Sequence, residues 1–258
     1  MSQSFAHRHI LGVRVDAVSY ESATQNIVTW ARERESRYVC ATSVHGVIES
    51  SQDEGFRRIL NGADLITPDG MPLVWGLRHL GLPFATRVYG PNLTLKVCEA
   101  AASAGVSLAL YGGTEESLAH FSRFLETSFP AIKIACAISP PFRPLSPEED
   151  DAFTRRINDS GAGIVLVGIG CPKQEKWMAH HKGAISAVML GVGAAFDFHA
   201  GRVPQAPSWV QRAGLEWFFR LASDPRRLWK RYFRIVPRFI GLFGLQLAQR
   251  RFALARIA

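Results

Sequence analysis

The sequence predicts an α/β fold, a largely parallel sheet with helices on both faces, carrying a basic helical appendage at its carboxyl end. Three observations lead there. Between Ile10 and Ala200 short apolar runs alternate with helical patterns at the spacing of strand and helix units, and such alternation marks a sheet joined by crossover helices. Two of the runs are followed by glycine- and proline-bearing turns, Pro68-Asp69-Gly70 and Gly168-Ile169-Gly170-Cys171-Pro172. Positive charge is concentrated in the last stretch of chain. With 258 residues and 47% hydrophobic content the protein can bury a full core. The economical division is a main domain, 1–211, and an appendage, 212–258.

Taken in order, a strand pair is expected around Ile10 to Val18. Ser19 follows as an N-cap, opening a helix whose apolar positions Ala23, Ile27, Trp30 and Ala31 recur three and four residues apart. Further strands are expected at Tyr38 to Ala41, Ala63 to Thr67, Ser107 to Tyr111, Ile132 to Ala137, Ile164 to Gly168 and Ala187 to Gly191, with helices between them. The stretch Ser139 to Pro147, with four prolines, reads as an ordered surface loop bordering the site, and the acidic run Glu148 to Asp151 as a helix start. In the tail, Asp224 and Pro225 read as N-cap and first residue of a helix reaching the neighbourhood of Pro237. Along it Arg227, Lys230, Arg231 and Arg234 recur on one face and Trp229, Tyr232, Phe233 and Val236 on another, the pattern of an amphipathic surface helix. The longest apolar stretch there, Phe239 to Leu245, or to Ala248 if Gln246 is admitted, falls well short of the about 20 residues a spanning helix needs.

Charge sharpens the division. From Arg212 onward, ten arginines and Lys230 face only Glu216 and Asp224, a net of +9, whereas the 19 basic and 20 acidic residues before it leave the body at −1. A near-neutral body with a basic tail seeks an anionic surface through the tail alone. Cys40, Cys98, Cys136 and Cys171 are far apart and form no Cys-x-x-Cys pair, which fits a reducing compartment without a disulfide framework. Met1 to Arg8 contains no apolar stretch, so no export signal is read. The expected location is the cytoplasm, peripheral on the inner face of the cell membrane.

Candidate chemistry gathers where strands end, since ligands of open parallel sheets bind in the crevice at the carboxyl ends. Asp69 follows a strand, between Pro68 and Gly70; it can serve as a catalytic carboxylate, as the cap of the helix running to Leu80, or as both. Gly112-Gly113-Thr114 and Gly168-x-Gly170 are tight turns whose N–H groups can hold a pyrophosphate or simply permit a close turn. Lys173 and Gln174 open a helix, where a cation and an amide can meet phosphates or sugar hydroxyls, or be solvated. Asp197 sits in the glycine-rich run Gly191 to Gly201, with ribose hydroxyls or an internal turn bond as its partners. His180-His181 reads as a surface pair. No Asp-x-Asp follows a strand, so the chemistry is expected to need no divalent metal and no cofactor.

Six segments in order, Ala63-Asp-Leu-Ile-Thr-Pro-Asp-Gly-Met-Pro72, Arg87-Val-Tyr-Gly-Pro91, Tyr111-Gly-Gly113, Val167-Gly-Ile-Gly-Cys-Pro-Lys-Gln-Glu175, Gly191 to Gly201 and Gly214-Leu-Glu-Trp-Phe-Phe-Arg220, resemble the WecG/TagA/CpsF glycosyltransferases, glycosyltransferase family 26. The likeness covers roughly Ile10 to Phe239. It implies a Rossmann-like domain with a membrane-docking appendage, and inverting transfer of a hexose, of N-acetylmannosamine type, from a UDP-sugar to a polyprenyl-diphosphate-linked saccharide of a bacterial polysaccharide. It further implies Asp69 as base, Arg87 as the active-site arginine, Gln174 as the motif glutamine, Asp197 near the nucleotide, and self-association into a homo-oligomer. Thr42, Ser43 and His45 join the substrate set; Arg220, Arg227, Lys230, Arg231 and Arg234 serve the membrane or the acceptor diphosphate. One departure stands out. Many members carry Thr-x-Asn where this chain has Ala41-Thr42-Ser43, and Ser43 lacks an amide's paired donor and acceptor. UDP-glucose and UDP-uronic acids therefore remain alternative donors. A dinucleotide-dependent oxidoreductase would need a complete Gly-x-Gly-x-x-Gly fingerprint, which is missing, and no nucleic-acid partner is expected; binding through the tail alone is the rival reading.

Overall fold

The computed structural model describes residues 5–199, 201 and 203–255, with side chains to 250 apart from that of Arg227. The first four residues of the stretch read for an export signal lie outside the described residues, as does Ala200. The chain opens with an antiparallel hairpin, β1 (His7–Ile10) and β2 (Val13–Asp16). The hairpin begins three residues before the expected strand pair. Its turn, Leu11-Gly12, takes both residues to positive φ, the conformation of a two-residue hairpin loop; Leu in that position is not a turn signal.

Six strands then form one parallel sheet: β3 (Arg37–Thr42), β4 (Leu65–Pro68), β5 (Leu108–Gly112), β6 (Ile134–Ile138), β7 (Ile164–Gly168) and β8 (Val188–Gly191), in the order β4-β3-β8-β7-β5-β6. Each expected strand is present, with Ile164–Gly168 unchanged and the ends of the others shifted by no more than two residues. Both sheet faces are covered, so residue alternation sorts into two cores. Tyr38, Cys40, Val165, Val167 and Met189 face one, and Val39, Ile164, Leu166, Val188 and Leu190 the other.

The second core is closed by α1 (Tyr20–Arg32), α5 (Gly90–Ala104), α6 (Glu115–Ser128) and α9 (Ala195–His199). In α1 the buried set is Ala23, Ile27, Trp30 and Ala31, and Ser19 caps it in a reciprocal box with Ser22. The first core is closed by α2 (Val44–Ser50), α3 (Glu54–Asn61), α4 (Met71–His79), α7 (Pro147–Asp159) and α8 (Lys173–His181), with the hairpin beside them. Helix α7 starts on a Ser146–Glu149 capping box, so the acidic run opens a helix as read. His181 departs from the surface-pair expectation: it is buried, stacked on Trp177, with Nε2 3.1 Å from Asp150 Oδ2. None of the four cysteines is disulfide-bonded.

The tail holds α10 (Ser208–Arg212), α11 (Glu216–Ser223) and α12 (Pro225–Ala255). Helix α12 opens on Pro225 as expected but runs through Pro237 instead of ending near it. An interior proline costs roughly 3 kcal/mol, and here tertiary packing offsets it. Leu228, Ile235 and Phe239 are buried, and Leu242, Phe243 and Leu247 lie against the first core. Pro237 itself is on the exposed side, where water can bond the freed carbonyl. Near its far end Gln246 accepts from Leu11 N–H at 2.9 Å and donates to His9 O at 2.7 Å. The burial also reassigns faces. Trp229 and Phe233 are exposed, Tyr232 is half-buried near Trp217, and the buried stripe is a third face that charge patterning did not reveal. No helix among the described residues is long and apolar enough to cross a membrane.

Candidate active site

Strand β4 ends in a loop, and its register with β3 brings Asp69 to the mouth of the sheet: Asp69 N–H donates to Thr42 O at 3.0 Å. The helix that follows is capped by Gly70, with no side-chain capping bond. The capping alternative for Asp69 is therefore not realised. Its carboxylate points instead toward the start of α5, where a Cβ on Gly90 would lie 3.6 Å from Asp69 Oδ2. Burial pushes the Asp69 carboxyl up to about 7, against the pull of Arg87 and with a further push from Glu216. That pull is real but incomplete, since the side chain keeps only 21% of its surface exposed and Arg87 Nη2 stands 3.7 Å from Oδ1.

Arg87 comes from the loop between α4 and α5 and lies over the Tyr89 ring, its Cζ 4.2 Å from the centroid. Its Nε donates to the Asp69 carbonyl, Nη1 to Gln211 Oε1 at 3.0 Å, and Nη2 to Glu216. Tyr89 N–H in turn donates to Tyr20 Oη at 2.9 Å. Glu216, Gln211 and Tyr20 were missed by the sequence reading. Glu216 carried a faint signal: it is one of two acids in a tail of net charge +9, inside a segment already singled out.

The neighbouring strand β3 delivers Thr42, buried, and Ser43, whose hydroxyl caps α2 by accepting from His45 N–H at 3.3 Å. His45 lies against Glu49 at 3.7 Å, and Arg234 of α12 reaches the same carboxylate at 2.8 Å. Burial, helped by Arg231, holds the His45 imidazole below its usual range. The tail arginines thus meet the body beside Ser43. Arg220 lies over Phe198, 5.3 Å from the ring centroid, and its charge bears on Asp69. Lys230 is exposed beside Trp229. Arg227 lies on α12, its side chain outside the described residues.

The glycine turns sit farther along the same edge of the sheet, at the ends of β5 and β7. Gly112 and Gly168 approach so closely that a Cβ on Gly112 would lie 2.6 Å from Gly168 O; that contact alone requires glycine. Gly113 and Gly170 have positive φ, and space is open beside Gly170. Ser139 of the proline-rich loop donates to Gly113 O at 2.8 Å, so that loop flanks the turn. Lys173 is exposed. Gln174 is buried and spans two turns, accepting from Gly193 N–H at 3.0 Å and donating to Glu175 at 2.9 Å. Asp197 accepts from Ser117 Oγ at 2.7 Å, the internal-bond alternative. Among the described residues no group of three or more His, Cys, Asp or Glu side chains is placed to hold a metal.

A parallel sheet whose carboxyl edge presents a shielded carboxylate, a shielded arginine and glycine turns is a frame that suits an α/β group-transfer enzyme. The chain belongs to the glycosyl transferase WecG/TagA/CpsF family, whose model matches residues 8–253; it is a glycosyltransferase. It is similar to the N-acetylglucosaminyldiphosphoundecaprenol N-acetyl-beta-D-mannosaminyltransferase of Bacillus spizizenii, 28% identical over 213 residues, covering 82% of this chain and 80% of the relative. The protein of the same name from Staphylococcus aureus is 26% identical over 250 residues, covering 96% and 95%.

Proposed function

We propose that this protein transfers an N-acetylmannosamine-type hexose from a UDP-sugar, with inversion, to a polyprenyl-diphosphate-linked saccharide during synthesis of a bacterial surface or extracellular polysaccharide. The observation that carries the reaction type is Asp69, a carboxylate poised near neutrality beside an arginine at the mouth of the sheet; the substrates follow from what the two relatives are named for. Asp69 takes the proton of the acceptor hydroxyl as that oxygen attacks the anomeric carbon, and the bond from that carbon to the diphosphate breaks with its electrons on UDP. Arg87, Arg220 and Lys173 supply positive potential for the departing charge. The glycine turn after β7 stands three strand spacings from β4, roughly 14 Å, which lets a nucleoside diphosphate-sugar lie across the edge with its sugar at Asp69. Incubation with UDP-N-acetylmannosamine, UDP-glucose or a UDP-uronic acid and lipid-linked acceptor tests this: product and heat protection with the first are expected, and neither with any UDP-sugar would overturn it.

The reaction is read as metal-independent. Full activity in EDTA is expected, while Arg87→Ala lowers turnover about a hundredfold, the typical cost of one preorganised charge-stabilising group. Loss in EDTA that Mg²⁺ or Mn²⁺ restores would reverse that reading.

The segment 212–258 is proposed as the docking unit for the membrane's cytoplasmic face and the acceptor, appended to a catalytic unit 1–211. Supporting this, Phe218, Trp229, Phe233 and Ile240 are exposed in a segment rich in arginine, and each basic residue near an anionic bilayer contributes roughly 1 kcal/mol. The triple variant Trp229→Ser, Phe233→Ser, Ile240→Ser should keep the fold and lose flotation with anionic liposomes. Undiminished flotation would remove the assignment.

A further inference from the structure

We propose that Glu216 is a positioning residue for the transfer: reaching in from the tail, it draws the Arg87 guanidinium away from Asp69 and so keeps the base's oxygens open to the acceptor hydroxyl. The inference rests on the glycosyltransferase reading of the Asp69–Arg87 pair. It starts from a competition. Arg87 has two carboxylates within reach, and it makes its close contact with Glu216, leaving Asp69 Oδ1 at 3.7 Å, beyond hydrogen-bond distance.

The side chains of Arg87 and Glu216 are only 14% and 16% exposed, and an arginine this shielded needs an ionic partner with good geometry. Were Glu216 neutral, the remaining anion would be Asp69. Arg87 would turn toward it and bind its oxygens, the fork geometry for which arginine is suited. An aspartate held in such a pair accepts a proton poorly.

Gln211 limits the same motion from a second direction, holding Nη1 at 3.0 Å, and the Tyr89 ring packs against the guanidinium. Glu216 lies 129 residues from Arg87 in sequence, so the arrangement exists only when α11 is seated on the body. The groups whose charge faces Asp69 are Arg87, Glu216 and Arg220, with the Tyr20 and Tyr89 hydroxyls beside them, both pushed up by burial. Of these, Glu216 is the one carboxylate.

The test uses the full-length protein and reads Asp69 directly. The ¹³C-carboxyl resonance of Asp69, assigned by its loss in Asp69→Asn, is titrated in the wild type, in Glu216→Gln and in Glu216→Asp, with thermal melting as a check on folding. In Glu216→Gln the midpoint should fall by roughly 1 pH unit, with a smaller fall in Glu216→Asp, whose carboxylate is withdrawn by one methylene. In the transfer assay the acid limb of kcat/KM should move down with it, kcat at pH 8 should fall about tenfold, and donor KM should stay within about twofold of wild type. A merely structural ion pair would lower the melting temperature and leave the midpoint in place. An unmoved midpoint in whichever variant melts cooperatively overturns the proposal. Because the titration needs no substrate, it stands apart from the substrate reading, whose failure would appear as a wild type that transfers no sugar.

Discussion

Asp69→Asn is expected to lower turnover between about a hundredfold and ten-thousandfold, the range of a positioned general base, with UDP affinity unchanged. The amide fills the same space at the end of β4 but cannot accept the proton of an attacking hydroxyl. In the wild type the rate should rise with pH through about 7 as the buried carboxyl ionises, and the residual rate of the variant should lack that step. Stability should show the same group with the opposite sense. The carboxyl's folded value lies above its ordinary 3.8, so its contribution to stability is fully present below that value and is lost as the pH rises through about 7. Asp69→Asn, permanently uncharged, should therefore melt above the wild type at pH 8 and close to it at pH 4. Wild-type turnover in the variant would end the assignment of Asp69 as base.

Deleting everything after Ser223 is expected to abolish cooperative folding. Ile235 and Phe239 are buried in the first core, with Leu242, Phe243 and Leu247 packed against it, and Leu228 is buried as well. Truncating one large core side chain costs about 2–5 kcal/mol, and a domain's whole stability is about 5–15 kcal/mol, so losing this stripe leaves little. Thermal melts followed by circular dichroism would check it; a sharp transition near the wild-type temperature would show that the body stands without α12. The consequence for membrane binding is practical. Deletion would confuse loss of docking with loss of fold, whereas serine at Trp229, Phe233 and Ile240 alters only exposed positions.

The parallel sheet was legible because strands buried on both faces must be apolar along their length, as in Ile164 to Val167. The cap at Ser19 and the face of α1 were equally plain, since both are local. The tail was legible in charge and not in packing. Proline at 237 is a reasonable stop in one dimension, and only the three-dimensional contacts of Ile235 and Phe239 make continuation favourable. At the site, Asp69 stood out by its turn, while Arg87 was placed by likeness alone, and its partners Gln211 and Glu216 arrive from more than a hundred residues away. Hydrogen bonds inside the protein occupy Gln174 and Asp197, something no spacing rule distinguishes from exposed ligand-binding groups.

The clasp between Gln246 and the Leu11 turn ties the later part of α12 to the hairpin, across a sequence separation of 235. During synthesis the hairpin leaves the ribosome well before the helix that covers it, given the separation of 235 between Leu11 and Gln246. Contacts of such long separation form slowly, and domains assembled during synthesis keep unfinished surfaces uncovered until their partners emerge. The nascent enzyme therefore carries an open flank on its first core until that helix emerges, and the stretch that closes this flank is the same one proposed to meet the lipid. On that proposal, completion of the fold and docking are consecutive uses of one segment, so a chain terminated before α12 yields an unfinished body and not an active enzyme.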